Sequence, residues 1–337
     1  MQGEGFILPD KDRAPSVFGA LVLLFIAFIG LEGSSVILML LARAVALGGG
    51  SLNESALDFL ASLIYYTLFI AVPVLVYYNK RPAIAVNMRI KPLSGKIALL
   101  CALAAIPGAF FVQSVNNLWC MLIEALGGRI VSPELVLPDT PAGMAGLILS
   151  TAALPALCEE MLLRGVLLGA YEERGSLKAL FIVSVWFMCL HASVSGMPAE
   201  FLGGVMLAYL VITTGSVFAG IIYHTVHNSV ILVMLYAARR LEQLIQTQPP
   251  EAQAQLAAET DGTVGVFPML VMAAVTGLIL YFFIRRIRQS RQTDTFGVEA
   301  SPERERSAYE IVVLICCVLC ALALYAANVL ETVGLIK

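Results

Sequence analysis

Long apolar runs recur along the whole chain and are separated by short polar stretches. A helix that crosses about 30 Å of hydrocarbon needs about 20 apolar residues. Nine runs meet or approach this length: 16–46, 56–78, 97–126, 143–170, 177–194, 200–213, 215–238, 264–284 and 308–330. The pattern predicts an all-α, polytopic membrane helix bundle with about nine transmembrane helices, of which the short run 200–213 is the weakest candidate.

The composition excludes the soluble classes of protein. Of the 337 residues, 59% are hydrophobic and only 13% are charged, whereas soluble domains carry about 25% charged residues. So few charges cannot cover a surface that faces water. We therefore exclude a secreted domain, a DNA-binding protein and an ordinary cytosolic enzyme, and we expect the lipid bilayer, not nucleic acid, as the partner.

Basic residues cluster in two connections between the apolar runs. One cluster extends from Lys80 to Lys96 after the second run, and the other from Arg285 to Arg306 between the last two runs. Short cytoplasmic loops are enriched in Lys and Arg. Nine spans with a cytoplasmic N-terminus place both clusters on the cytoplasmic side. The sequence thus predicts a multi-pass protein of the cell membrane with its N-terminus in the cytoplasm.

Polar and ionisable residues lie inside three of the predicted spans. Such residues are rare in lipid, face the bundle interior and are functional by default. They are Glu159, Glu160 and Arg164 in the fourth run, His191 in the fifth, and His224 and Asn228 in the seventh. Glu159, His191 and His224 lie roughly 13–21 Å from the predicted cytoplasmic ends. This similar depth predicts one shared site, open towards the cytoplasm.

Helical spacing assigns partners within these segments. Glu160 and Arg164 are four residues apart and can form an ion pair on one face. Glu159 is turned about 100° away from Glu160, which leaves it without a local partner and suited to accept or donate a proton. His224 and Asn228 are also four residues apart and share a face.

These residue types allow two kinds of hydrolytic chemistry. A Glu and a His can activate water, while a second His and an Asn stabilise the oxyanion of a scissile carbonyl. Alternatively, Glu159, His191 and His224 can hold a zinc ion with an open water position. The residue types do not separate the two. The sequence contains no H-E-x-x-H, G-x-G-D or G-x-S-G motif of other membrane proteases.

The order of these residues resembles the CAAX-processing and bacteriocin-processing family (CPBP, or Abi) of intramembrane endopeptidases, which includes the type II CAAX prenyl endopeptidases. The family pattern is E-E-x-x-x-R, F-x-x-x-H and H-x-x-x-N on successive helices. The chain has these motifs at Glu159-Glu160…Arg164, Phe187…His191 and His224…Asn228.

The resemblance implies a role for each motif residue. Glu159 would activate water with His191 as its partner, and His224 with Asn228 would stabilise the oxyanion. Glu160 and Arg164 would support the site. The family is described both as metalloproteases and as metal-independent glutamate proteases. We prefer a mechanism that requires no cofactor, with Zn²⁺ as the alternative.

Together these features predict four regions and one function. The regions are N-terminal transmembrane helices (1–142), a CPBP-like catalytic helix bundle (143–238), a polar external loop (239–263) and C-terminal transmembrane helices with a basic cytoplasmic loop (264–337). The predicted function is hydrolysis of a peptide bond in a peptide or protein that arrives from the membrane or the cytoplasm, in CAAX-type or leader-peptide processing. The alternative is a non-catalytic resistance, immunity or transport protein that uses the same polar site for binding.

Overall fold

The computed structural model describes residues 16–50, 54–79, 88–131, 135–260, 265–290 and 308–335, and its regular structure there is helical throughout. We number the ten main helices α1 to α10. They are α1 Val17–Leu47, α2 from Glu54 to Asn79, α3 Gly95–Ala125, α4 Pro141–Tyr171, α5 Ser176–His191, α6 Met197–Thr214, α7 Val217–Gln246, α8 Pro250–Thr260, α9 Val266–Gln289 and α10 Ala308–Thr332. The predicted all-α polytopic bundle is confirmed.

Eight of these helices, within the described residues, are long and apolar enough to cross a membrane. The weakest candidate is not the one that the sequence indicated. Helix α6 has 18 residues and qualifies, whereas α5 is an apolar helix of only 16 residues, Ser176–His191. Helix α5 ends early because Ala192 adopts a left-handed conformation with φ of 47°, which turns the chain towards α6.

Helix α5 nevertheless connects the two ends of the bundle. At its start, Glu172 forms an ion pair with Arg89, whose carbonyl oxygen accepts a hydrogen bond from the Val217 N–H at 3.0 Å. Beyond its end, the Val194 carbonyl oxygen accepts a hydrogen bond from Trp119 Nε1 at 2.8 Å. Trp119 lies towards the far end of α3, away from the residues around Arg89. By length and composition the described helices give eight crossings where the sequence predicted about nine, with α5 as the shorter helix, and their orientation in the membrane stays a prediction.

Close helix contacts depend on glycine at two positions in this part of the bundle. A Cβ atom at Gly204 in α6 would lie 2.9 Å from the Ser184 Cα of α5. A Cβ atom at Gly108 in α3 would lie 2.0 Å from the Tyr223 hydroxyl oxygen of α7. Small residues are the usual means by which membrane helices approach closely. Helices α3, α5, α6 and α7 thus pack tightly around the segment that carries the motif residues.

Helices α2 and α4 contain π-helical turns. In α2 the turn covers Tyr65–Ala71, and in α4 two turns cover Leu149–Ala153 and Met161–Leu167. A π-helical turn changes the register of the side chains that follow it, and such turns are frequent at functional sites. The second turn of α4 begins directly after Glu160. The helix that carries the acidic motif is therefore irregular at the motif itself.

The region predicted as a polar loop, 239–263, contains helical structure in its described part. Helix α7 continues to Gln246, and α8 covers Pro250–Thr260. The side chain of Arg240 donates a hydrogen bond to the Asp139 carbonyl oxygen at 2.8 Å. The end of α7 is thereby attached to the chain that enters α4. The external location of this region stays a prediction.

Candidate active site

Glu159 has one engaged carboxylate oxygen and one free one. Its side chain is buried in α4, with 6% of the residue exposed. The Tyr66 hydroxyl of α2 donates a hydrogen bond to Oε1 at 2.9 Å. Oε2 is buried and has no hydrogen-bond partner among the described residues. Because a carboxylate oxygen accepts hydrogen bonds only, this Oε2 is suited to bind water or another donor. Glu160 Oε2 is also buried without a described partner, but it lies close to Gly220 of α7.

Glu160 lies at the centre of a buried charged cluster. Arg164 Nη1 donates to Glu160 Oε1 at 2.8 Å, and both side chains are completely buried. His224 Nδ1 of α7 lies 3.2 Å from the same oxygen. Arg164 Nη2 also donates to the Gly204 carbonyl oxygen of α6 at 3.0 Å. The predicted ion pair is present, and it joins α4 to α6 and α7.

Gly220 makes room for this cluster. A Cβ atom at Gly220 in α7 would lie 2.5 Å from Glu160 Oε2, which is closer than non-bonded atoms approach. Gly220 precedes His224 by one helical turn, so the same face of α7 contacts Glu160 twice. The absence of a side chain at Gly220 therefore allows α7 to bring His224 to Glu160.

His191 contacts groups other than Glu159. It is the last residue of α5, and its Nδ1 lies 2.9 Å from the Phe187 carbonyl oxygen. Its Nε2 lies 3.4 Å from Glu200 Oε2 of α6. The side chains of His191 and Glu200 are 31% and 27% exposed. Glu159 interacts electrostatically with both residues. The three side chains therefore share one electrostatic environment, without a direct hydrogen bond between Glu159 and His191.

The aromatic ring of Phe187 separates the polar side chains from one another. The Arg164 guanidinium lies 4.7 Å from the centre of this ring, which is a cation–π distance. The rings of His191 and His224 lie 4.7 Å and 5.7 Å from it, centre to centre. Phe187 thus acts as the apolar spacer between the Glu160 cluster and His191.

The remaining polar residues of α7 lie on two faces. Asn228 follows His224 by one turn and is partly buried. His227 stacks on the Tyr223 ring with centres 5.8 Å apart. Its Nδ1 is buried and has no hydrogen-bond partner within the described part of the chain. His227 is therefore a neighbour of the motif residues. Its described contact is with the Tyr223 ring and not with the Glu160 cluster.

The arrangement does not fit the alternative zinc set. No three His, Cys, Asp or Glu side chains among the described residues are placed to hold a metal ion together. Of the proposed ligands, His224 directs Nδ1 to Glu160, and His191 has its two nitrogens on Phe187 and Glu200. We therefore assign no step to a metal.

Two residues of this site were missed in the sequence. Tyr66 is one of many aromatic residues in apolar runs, and nothing in its spacing indicates a carboxylate partner on another helix. Glu200 had a usable signal, because it is an acidic residue at the start of an apolar run, and ionisable residues in such runs are costly, rare and commonly functional.

A family comparison covers the segment that carries these motifs. Residues 141–230 match the family described as Type II CAAX prenyl endopeptidase Rce1-like. We call residues 141–230 the CAAX protease segment after this match. The resemblance seen in the motifs is thus confirmed, and the family supports a membrane protease that acts on peptides within the bilayer. No curated protein and no solved structure is significantly similar to the chain. Every motif residue lies inside the CAAX protease segment, as does Glu200, whereas Tyr66 lies outside it.

Proposed function

We propose that this protein is an intramembrane endopeptidase in which Glu159 activates the water molecule that attacks a peptide bond. The observation that carries the proposal is the state of the Glu159 carboxylate: Tyr66 holds Oε1, while the buried Oε2 has no hydrogen-bond partner among the described residues. A carboxylate fixed in this way can orient a water molecule and accept its proton. Only 6% of Glu159 is exposed, and such burial strengthens electrostatic interactions at the carboxylate.

His224 and Asn228 are proposed to stabilise the oxyanion. A carboxylate only accepts hydrogen bonds, so the contact with Glu160 places the hydrogen of the His224 ring on Nδ1. In the doubly protonated ring Nε2 also carries a hydrogen, which can donate to an oxyanion. Asn228 on the next turn of α7 can add a second donor, because residues four apart share a helix face. Arg164 balances the charge of Glu160 and keeps it in place.

The substrate class that we propose is a prenylated peptide of CAAX type. This follows from the description of the matching family, and leader peptides are the alternative. A direct test uses the purified protein in nanodiscs with a farnesylated CAAX-type peptide and with the same peptide lacking the prenyl group. Cleavage of the farnesylated peptide alone would support the proposal. Cleavage of both peptides at equal rates would exclude prenyl recognition and favour a leader-type substrate.

Glu159→Gln tests the catalytic proposal without any assumption about the substrate. Wild type, Glu159→Gln and the control Glu124→Gln are expressed at matched levels in the native host lacking its own copy. Glu124 is exposed near the end of α3, so its charge is not part of the site. New peptide termini in membranes and medium are then identified by mass spectrometry. We expect new peptide termini with wild type and with Glu124→Gln, and none with Glu159→Gln. Identical termini with inserted, stable Glu159→Gln would instead favour the non-catalytic resistance or transport function.

A further inference from the structure

Glu200 has no role in the mechanism described so far, although it lies against one of the motif histidines. It is in the first turn of α6, partly buried, and its Oε2 lies 3.4 Å from His191 Nε2. A carboxylate in an apolar membrane helix is costly and is commonly paired. The contact joins α6 to the end of α5, and it involves the ring nitrogen of His191 that does not contact its own helix.

The contacts of His191 define which of its nitrogens carries a fixed hydrogen. The Phe187 carbonyl oxygen can only accept, so Nδ1 at 2.9 Å is the donor. In the neutral ring Nε2 would then present a lone pair to the Glu200 carboxylate, which is also an acceptor. Two acceptors repel each other. The approach of Nε2 to Oε2 at 3.4 Å is therefore favourable only when a proton lies between them.

The surrounding charges place that proton on the ring. Burial and the Arg164 guanidinium oppose a charged His191 ring, whereas the carboxylates of Glu200 and Glu159 favour it. Arg164 is already paired with Glu160 at 2.8 Å. The Arg164 charge is therefore largely balanced by Glu160. A cationic His191 ring stabilises the charges of Glu159 and Glu200 better than a neutral ring does.

We propose that Glu200 is a positioning residue that holds His191 as the doubly protonated ring, with Nε2–H directed between Glu200 and the substrate. This inference rests on the proposed function of Glu159. The Nε2–Oε2 separation of 3.4 Å is longer than a normal N–H···O hydrogen bond. The Nε2 hydrogen therefore remains available to a substrate atom while the Glu200 charge stabilises the ring.

The pair gives the leaving amine a source for its proton. The water oxygen bonds to the carbonyl carbon, and the water proton passes to Glu159. The carbon–nitrogen bond then breaks, and the amine nitrogen takes the Nε2 proton of His191. Return of the proton from Glu159 to His191 restores both groups, so the cycle consumes one water and one peptide bond. Glu200 takes part by stabilising the charged ring before its proton is transferred.

A simpler role for Glu200 is charge stabilisation at the start of α6. An acidic residue in the first turn of a helix interacts favourably with the helix dipole. The adjacent Ala199 offers a control, because Ala199→Glu combined with Glu200→Gln keeps a carboxylate in the first turn. A side chain at position 199 points about 100° away from that at position 200. The double variant thus restores the helix-end charge without restoring the His191 contact.

The first measurement is ¹⁵N NMR of histidine-labelled protein in nanodiscs at neutral pH. The chain has three histidines, and the His191 signals are assigned by their loss in His191→Asn. We expect protonated Nε2 in wild type and unprotonated Nε2 in both Glu200→Gln and the Ala199→Glu/Glu200→Gln variant. An unprotonated Nε2 in wild type, or the same Nε2 signal in wild type and Glu200→Gln, would overturn the proposal. This result does not depend on enzymatic activity.

The second measurement is the kinetics of cleavage of the farnesylated CAAX-type peptide. We expect Glu200→Gln to lower kcat by about 10- to 100-fold, the range known for carboxylate partners of metal-bound histidines, with little change in KM. The Ala199→Glu change should not restore kcat, and Glu124→Gln should leave it unchanged. If Glu200→Gln kept the wild-type kcat while Glu159→Gln was inactive, the positioning role of Glu200 would be refuted and the proposed function would stand. Equal activity of wild type and Glu159→Gln would refute the proposed function, and the NMR result would still decide the His191–Glu200 pairing.

Discussion

The buried cluster of Glu160, Arg164 and His224 predicts an unequal response to removal of its two charges. Arg164 is completely buried, and apart from Glu160 its described contacts are the neutral Gly204 carbonyl group and the Phe187 ring. Glu160→Gln therefore leaves a buried guanidinium that cannot lose its proton. Loss of one member of a buried ion pair costs about 3–5 kcal/mol of the free energy of unfolding.

Removal of Arg164 leaves a less severe defect. In Arg164→Met, Glu160 keeps His224 Nδ1 at 3.2 Å as a hydrogen-bond donor, and the carboxyl group can also take up a proton. A hydrogen bond to a charged group contributes about 1.5–3 kcal/mol. We therefore expect Arg164→Met to be less destabilising than Glu160→Gln by roughly that amount. The double variant Glu160→Gln/Arg164→Met should be more stable than Glu160→Gln, because it removes the unpaired charge.

Steric trapping in bicelles measures these free energies of unfolding without extrapolation from detergent. The two single variants and the double variant form a thermodynamic cycle, whose interaction term isolates the pair. If Glu160→Gln cost less than about 1 kcal/mol, the two charges would not be buried together as described. If Arg164→Met were the more damaging change, the contact between His224 and Glu160 would not contribute to stability, and the proposed orientation of the His224 ring would fail with it.

Three further perturbations test other parts of the site. Tyr66→Phe should lower kcat by about 10-fold or more, because it removes a hydrogen bond to a charged group. The neighbouring Tyr65→Phe should leave kcat unchanged. Equal kcat values for the two variants would contradict the role of Tyr66. Gly220→Ala should destabilise the fold by about 1–3 kcal/mol in a thermal unfolding experiment, since its methyl group would overlap Glu160 Oε2; Gly146→Ala, which meets no atom within 4 Å, should be neutral or stabilising. Peptide cleavage should survive dialysis against a zinc chelator, and a loss that only Zn²⁺ restores would favour the metal-dependent alternative.

The fold was accessible from the sequence because lipid imposes a simple constraint. A spanning segment must satisfy its own backbone hydrogen bonds, so long apolar runs become helices. The sequence therefore located the apolar runs well, but it did not locate the end of α5 at His191. That end depends on the left-handed backbone of Ala192, a conformation that is uncommon for alanine and that no preference of this residue predicts. The result was a misplaced estimate of which span is shortest.

The site was predictable where partners lie on one helix. Spacing of four residues identified the Glu160–Arg164 pair, because the geometry of a single helix fixes that contact. Contacts between helices depend on rotation and depth, which the sequence does not specify. Tyr66 and Glu159 are 93 residues apart. The contact between His224 and Glu160 depends on the close approach of α7 to α4 at Gly220. Among the described contacts Glu159 and His191 make no direct hydrogen bond, since the end of α5 directs the His191 ring to Glu200.

The CAAX protease segment is incomplete as a site without the helices around it. Its proposed base is held by Tyr66 of α2, which lies outside residues 141–230. The loop that follows His191 is attached to α3 through Trp119 and to α10 through Asn328, whose side-chain oxygen accepts from the Val194 N–H at 2.7 Å. Because these contacts fix the end of α5, they also fix the position of the His191 ring. The flanking helices therefore add contacts that hold the proposed base and the end of α5, beyond the contacts made within the family segment itself.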